Sequence, residues 1–140
     1  MFPNIKTFSA STRTAQEAAD QIGCALGAIG KSLIFRSGDD MILIITSGTN
    51  RVDTERVGKE LGVTLGKADA DFVKAKTGFS IGGVAPWGYE RPAYVVIDAD
   101  LEQYPEIWAA AGTPHSVFPT TFGELQEKTR GVVMKVASGA

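Results

Sequence analysis

Two short stretches carry residue types suited to chemistry: Gly30-Lys31-Ser32 and Gly82-Gly83-Val84-Ala85-Pro86. Gly-Lys-Ser is the closing half of a phosphate-binding P-loop, whose full form G-x-x-x-x-G-K-[ST] demands glycine at position 25. That position is Ala25, and Gly23 and Gly27 each stand two residues out. A P-loop also runs from strand into helix, so that helix amides meet the phosphates. Here a helical pattern comes first and a strand pattern follows. Spacing and order together exclude a nucleoside-triphosphate cradle. Lys31 is then either a solvated lysine at a strand start or an ammonium serving another anion. In the second stretch, paired glycines permit φ > 0 and close ligand approach, and Pro86 holds the loop end in one shape. Such a loop is either an ordinary connection or a set of N–H groups aimed at an anion or oxyanion.

The remaining candidates are sparse. Cys24 follows the first helical pattern among alanine and leucine and reads as a buried structural thiol rather than a nucleophile. The only histidine, His115, lies in Gly112-Thr113-Pro114-His115, where it serves as a base or substrate contact or simply faces solvent. A single cysteine forms no internal disulfide, and no Cys/His cluster has zinc spacing, so neither metal nor cofactor is expected. Asp98 and Asp100 read as turn residues, and Asp69 and Asp71 as helix-start residues. Trp87 and Trp108 suit core packing as well as base stacking.

These groups need elements to position them. Thr14 to Glu17 fits a capping box, followed by Ala15, Ala18, Ala19 and Ile22 at helical spacing and a stop at Gly23. Ser32 to Phe35 and Met41 to Thr46 read as a β-hairpin around a Gly/Asp turn. Asp53 caps a second helix, with Val52 and Val57 as a hydrophobic staple and Leu61-Gly62 as its end. A shorter helix is expected over 71–76, ending at Thr77-Gly78, where an irregular glycine-rich segment from Thr77 to Gly88 begins. Ala93 to Ile97 and Ser116 to Phe118 read as strands. The composition of Glu106 to Ala111 favours helix. Thr121 and Glu124 suggest a second capping box for a helix ending near Gly131, and Val132 to Val136 a closing strand. Strands and short helices interleave, which predicts one mixed α/β domain over 1–140 rather than a βαβ array.

Bulk properties narrow the function classes. The chain has 140 residues and a net charge of −2, with a pI near 5.4. No global positive field attracts nucleic acid, so any such contact must be local. The start MFPNIKTFSA lacks a signal-peptide layout, and no apolar run approaches the ~20 residues of a membrane span. A cytoplasmic protein without a membrane partner is expected.

Four segments together resemble the YbaK/ProX family, the aminoacyl-tRNA deacylases related to the editing insertion of bacterial prolyl-tRNA synthetases. They are Ile29 to Phe35 (IGKSLIF), Thr46 to Asp53 (TSGTNRVD), Thr77 to Gly88 (TGFSIGGVAPWG) and Ala111 to His115 (AGTPH). The resemblance spans nearly the whole chain in order. It implies an α/β (α+β) fold, with a curved, largely antiparallel, barrel-like sheet and helices packed outside. It also tips Glu106 to Ala111 toward strand, against its composition. The family's functional lysine falls on Lys31, and its G-x-x-x-P loop on Gly82 to Pro86. The resemblance thus implies catalytic roles for Lys31 and Gly82. It implies substrate contacts at Ser47, Gly83, Val84, Ala85, Pro86, Gly112 and Thr113, with His115 a less uniform match.

The function so implied is hydrolysis of the ester joining a small wrong amino acid to the 3′ end of tRNA, mostly tRNA for proline. The partners implied are the tRNA acceptor end and prolyl-tRNA synthetase. An aminoacyl ester is already activated, and the vicinal ribose hydroxyl can orient or deprotonate water, which accounts for the missing catalytic triad. Two other readings stand beside it: a module that binds an acceptor end or synthetase without hydrolysis, and a hydrolase of small aminoacyl or nucleotide esters.

Overall fold

The apolar run at residues 41–46 forms the centre of the sheet. Strand β3 (Asp40–Ser47) is buried along both faces, and Ile42, Leu43, Ile44 and Ile45 are each 0% exposed. A strand covered on both sides gains from unbroken apolar sequence rather than from alternation. Leu43 and Ile45 meet Ile97, Leu101, Ile107 and Leu125 on one face. Ile42 and Ile44 meet Val57, Val96 and Val136 on the other.

The computed structural model describes residues 2–137; Met1 and residues 138–140 of the expected domain lie outside them. Among the described residues it is a single mixed α/β domain with eight strands and four α-helices. The strands are β1 (Lys6–Thr7), β2 (Ile29–Ser37), β3, β4 (Gly66–Lys67), β5 (Tyr94–Asp98), β6 (Ile107–Ala110), β7 (Ser116–Thr120) and β8 (Val132–Met134). The helices are α1 (Ala15–Ile22), α2 (Thr54–Leu61), α3 (Ala70–Thr77) and α4 (Phe122–Thr129). The order across the sheet is β1-β7-β6-β2-β3-β5-β8, with β4 beside β2. The helices pack outside it as expected, but the sheet is open and mixed. The pairs β2·β6, β3·β5 and β5·β8 are parallel; the other four, among them the β2·β3 hairpin, are antiparallel.

Local signals placed most helix ends. Thr14 and Glu17 form the reciprocal capping box of α1, which stops at Gly23. Asp53 and Asp69 accept N–H bonds at the starts of α2 and α3, which stop at Gly62 and Gly78. Thr121 caps α4, but Glu124 accepts from the Thr120 hydroxyl instead of closing a box, and the helix ends on Arg130 at φ +54°. Val132 to Val136 pairs only as far as Met134; beyond it, the Val136 carbonyl accepts from Asp53 N–H at 2.7 Å.

Glu106 to Ala111 is a strand, as the resemblance implied and composition did not. Its residues 107–110 pair with β7, and Trp108 and Ala109 also pair with β2. Neighbours on both sides outweigh the helix preference of glutamate and alanine, because strand stability is set by cross-strand packing. Gly30 belongs to the same junction. A Cβ there would stand 2.9 Å from Ile107 Cγ2, so the glycine lets β6 close against β2. Its role is sheet packing, not phosphate binding.

Candidate active site

The sheet splits beside β2. Its start pairs with β6 at Ile29 and Gly30, and its end pairs with β4 at Phe35 and Arg36. From Lys31 to Ile34 that edge carries no strand partner among the described residues, and a cavity of about 370 Å³ opens there. Its walls come from β2, from Ala15 and Ala18 of α1, from Trp108 of β6, from Val73 of α3 and from the Ile81–Val84 turn. Lys31, Arg13, Gly82 and Ser32 all line it. The lining contains two cations and no carboxylate, histidine or cysteine.

Lys31 is half-buried, and among the described residues its ammonium has no ion pair or side-chain hydrogen bond. An unpartnered cation against apolar walls interacts more strongly with an anion than it would in open water. Arg13, which no sequence pattern singled out, lines the same cavity. Its side chain lies over Gly82, where a Cβ would come within 2.5 Å of Arg13 Cγ. Gly82 itself holds φ at +91°, a conformation that L side chains rarely adopt. Gly83 N–H bonds Ser80 C=O at 3.0 Å, while Gly82 and Val84 N–H have no acceptor among the described residues. The loop therefore offers main-chain donors at the cavity wall.

The other expected contacts fall in three places. Val84 lines the cavity, whereas Ala85 is fully buried against Phe2, Ala109 and Phe118. Pro86 lines a separate cleft of about 140 Å³ with Trp87 and Arg130. Gly112, Thr113 and His115 stand behind the site. A Cβ at Gly83 would lie 2.8 Å from the Thr113 carbonyl carbon, and Pro114 C=O accepts from Thr12 N–H at 2.7 Å. His115 is exposed, with Nδ1 3.1 Å from Ala10 O. Ser47 is not brought to the cavity. Its hydroxyl donates to Gly27 O at 2.7 Å, and its N–H donates to buried Asp98, which also accepts from Asn50. Thr46, Ser47 and Asn50 of the TSGTN segment thus form a polar knot around buried Asp98, while Thr49 is exposed.

Tyr89 anchors the glycine loop from the far side by donating to Ala85 O at 2.7 Å. Burial pushes its phenol well above the usual range, so it remains a donor throughout physiological pH. Tyr89→Phe is expected to cost about 1 kcal/mol of stability and several-fold in turnover, read by urea denaturation and single-turnover rates. Cys24 does not line the cavity, and burial foremost pushes its thiol up. Cys24→Ser is expected to leave turnover within about twofold of wild type.

The aminoacyl-tRNA editing domain model matches residues 9–128. The chain belongs to this family. A solved structure of a proposed trans-editing enzyme for prolyl tRNA synthetase shares 41% identity at a TM-score of 0.90, over 96% of this chain and 86% of that one. The uncharacterized protein YwhH of Bacillus subtilis is 33% identical over 125 residues, covering 89% of this chain and 80% of its own. A proline–tRNA ligase of Thermoanaerobacter sp. is 24% identical over 106 residues, which make up 74% of this chain but 19% of the ligase. The editing domain is therefore related to a segment of a much longer synthetase. Among its described residues, no helix is long and apolar enough to cross a membrane.

Proposed function

We propose that this editing domain is a free-standing deacylase that hydrolyses a small amino acid mischarged on tRNA, with tRNA for proline as the leading substrate. The observation that carries this reading is the unpartnered Lys31 ammonium in a cavity without a carboxylate, which is also lined by Gly82 and Val84 with their uncommitted N–H groups. Lys31 meets a phosphate at the acceptor end as a compact charge. Gly82 and Val84 N–H groups hold the ester carbonyl as it becomes an oxyanion. No side chain lining the cavity has an unperturbed pKa near neutrality, so the vicinal ribose hydroxyl of the terminal adenosine orients and deprotonates the water. The protein contributes positioning and exclusion of bulk water. The protein works in the cytoplasm, where charged tRNA is found, and its acidic balance suits a synthetase partner that supplies tRNA affinity.

The test is a deacylation assay across a panel of mischarged tRNAs. Faster release of alanine or another small residue from tRNA for proline than of proline itself supports the reading. Binding of mischarged tRNA with no release from any member of the panel would replace it by the acceptor-end binding module.

A further inference from the structure

The break in the sheet leaves a second set of polar groups in the cavity, distinct from Lys31 and the glycine loop. Main-chain N–H and C=O groups of alternate strand residues address opposite edges. Ile29 C=O accepts from Gly48 N–H at 2.9 Å on the β3 side, so the odd-numbered residues of β2 address β3. Gly30, Ser32, Ile34 and Arg36 address the other edge. Gly30 is paired there with Ala109, and Arg36 with Gly66. Ser32 and Ile34 are not: among the described residues no strand or side chain takes up their main-chain groups. The Ser32 hydroxyl is also buried and has no hydrogen-bond partner, the one such side-chain atom among the described residues. The other cavity hydroxyls are engaged, Thr12 with Pro114 O and Thr14 with Glu17 N–H.

A buried polar group without a partner is costly, and native structures keep few of them. Here the unpartnered groups of one short stretch include three acceptors, Ser32 Oγ, Ser32 C=O and Ile34 C=O, beside the Ser32 and Ile34 N–H donors. Ser32 and Ile34 both line a cavity without a carboxylate. Alternation along β2 also sets Ser32 on the face opposite Lys31. The Lys31 ammonium and the Ser32 hydroxyl are therefore kept apart within the lining.

We propose that the Ser32–Ile34 edge is the subsite for the free α-ammonium group of the aminoacyl ester, with the Ser32 hydroxyl as its specificity-determining acceptor. The inference rests on the deacylase reading for its substrate. It adds that the site distinguishes a free aminoacyl group from an N-acylated one. Neutral acceptors hold an ammonium by its N–H bonds, and an N-acyl group removes the charge and two of those donors. It also places the ammonium away from Lys31, where like charges would repel.

The test uses a non-hydrolysable analogue, 3′-alanylamino-3′-deoxyadenosine, and its N-acetyl form, each titrated calorimetrically into wild type, Ser32→Ala and Ser32→Thr. Wild type is expected to bind the free amine at least about tenfold more tightly, equivalent to about 1.4 kcal/mol. Ser32→Ala is expected to bring the ratio within about twofold, and Ser32→Thr to retain it. Removing the unpartnered hydroxyl is also expected to raise the Tm of the ligand-free protein by about 2–4 °C. Equal affinity of wild type for both forms would overturn the proposal, as would an undiminished ratio in Ser32→Ala or failure of the free amine to bind. Deacylation of mischarged tRNA together with equal affinities would overturn this subsite and leave the deacylase standing. A tenfold ratio without deacylation would do the reverse.

Discussion

Lys31→Ala is expected to lower kcat/KM for deacylation by about 100-fold, the usual scale for losing one preorganised charged or hydrogen-bonding group at a reacting centre. The protein itself should remain as stable as wild type. The ammonium lines the cavity without an ion pair among the described residues, so its removal breaks no folding contact. Activity and stability therefore separate in this variant. The loss should also carry an electrostatic signature. Each phosphate contact on single-stranded nucleic acid contributes about −0.7 to the slope of log affinity against log salt, so Lys31→Ala should flatten that slope by about this amount. Lys31→Arg is expected to recover the salt slope better than the rate, because a planar fork keeps the charge but not the compact shape. An unchanged kcat/KM in Lys31→Ala would remove this residue from the site.

Gly82→Val should be comparably damaging, by a different route. Its backbone sits at φ +91°, and a β-branched residue held there is strained by about 1–3 kcal/mol. The new Cβ would also stand 2.5 Å from Arg13 Cγ, displacing a cavity-lining cation. Relaxing the strain turns the loop and misaims the N–H groups of Gly82 and Val84. We expect a loss of about 100-fold in the single-turnover rate, and a lower urea midpoint. A cycle with Arg13→Ala divides the two causes, since residues in contact do not act additively. Removing Arg13 relieves the steric clash and leaves the backbone strain, so the double variant should recover only part of the loss. Full activity in Gly82→Val would show that the loop does not place the reacting carbonyl.

How much was readable in advance differed by kind of signal. The helix boundaries at Thr14, Gly23, Asp53, Gly62 and Gly78 were legible because capping is a local hydrogen-bonding problem, solved by residues three or four positions apart. The central strand was legible because a run of apolar, β-branched residues suits burial on two faces. The failure of Gly30-Lys31-Ser32 as a P-loop also followed from spacing alone. Resemblance added Lys31 and the Gly82–Pro86 loop, and Lys31, Gly82 and Val84 do meet at one cavity.

Three things depended on segments far apart in the chain, and only the tertiary structure decided them. Composition drew Glu106 to Ala111 toward helix, because intrinsic preference carries no information about partners on either side. Ser47 resembled a substrate contact, yet its hydroxyl and N–H are taken by Gly27 and Asp98. The cavity itself exists because β2 exchanges one neighbour for another along its length, from β6 to β4. That exchange leaves the main-chain groups of Ser32 and Ile34 unpaired, and beside them Arg13 lies over Gly82 and the Ser32 hydroxyl is buried without a partner. The sequence by itself determined where the chain turns and which residues seek the interior, because those choices are settled by neighbours along the chain. The three-dimensional fold decided which polar groups stay unsatisfied, since a hydrogen bond lost at a sheet break is visible only when both sides of the break are in place.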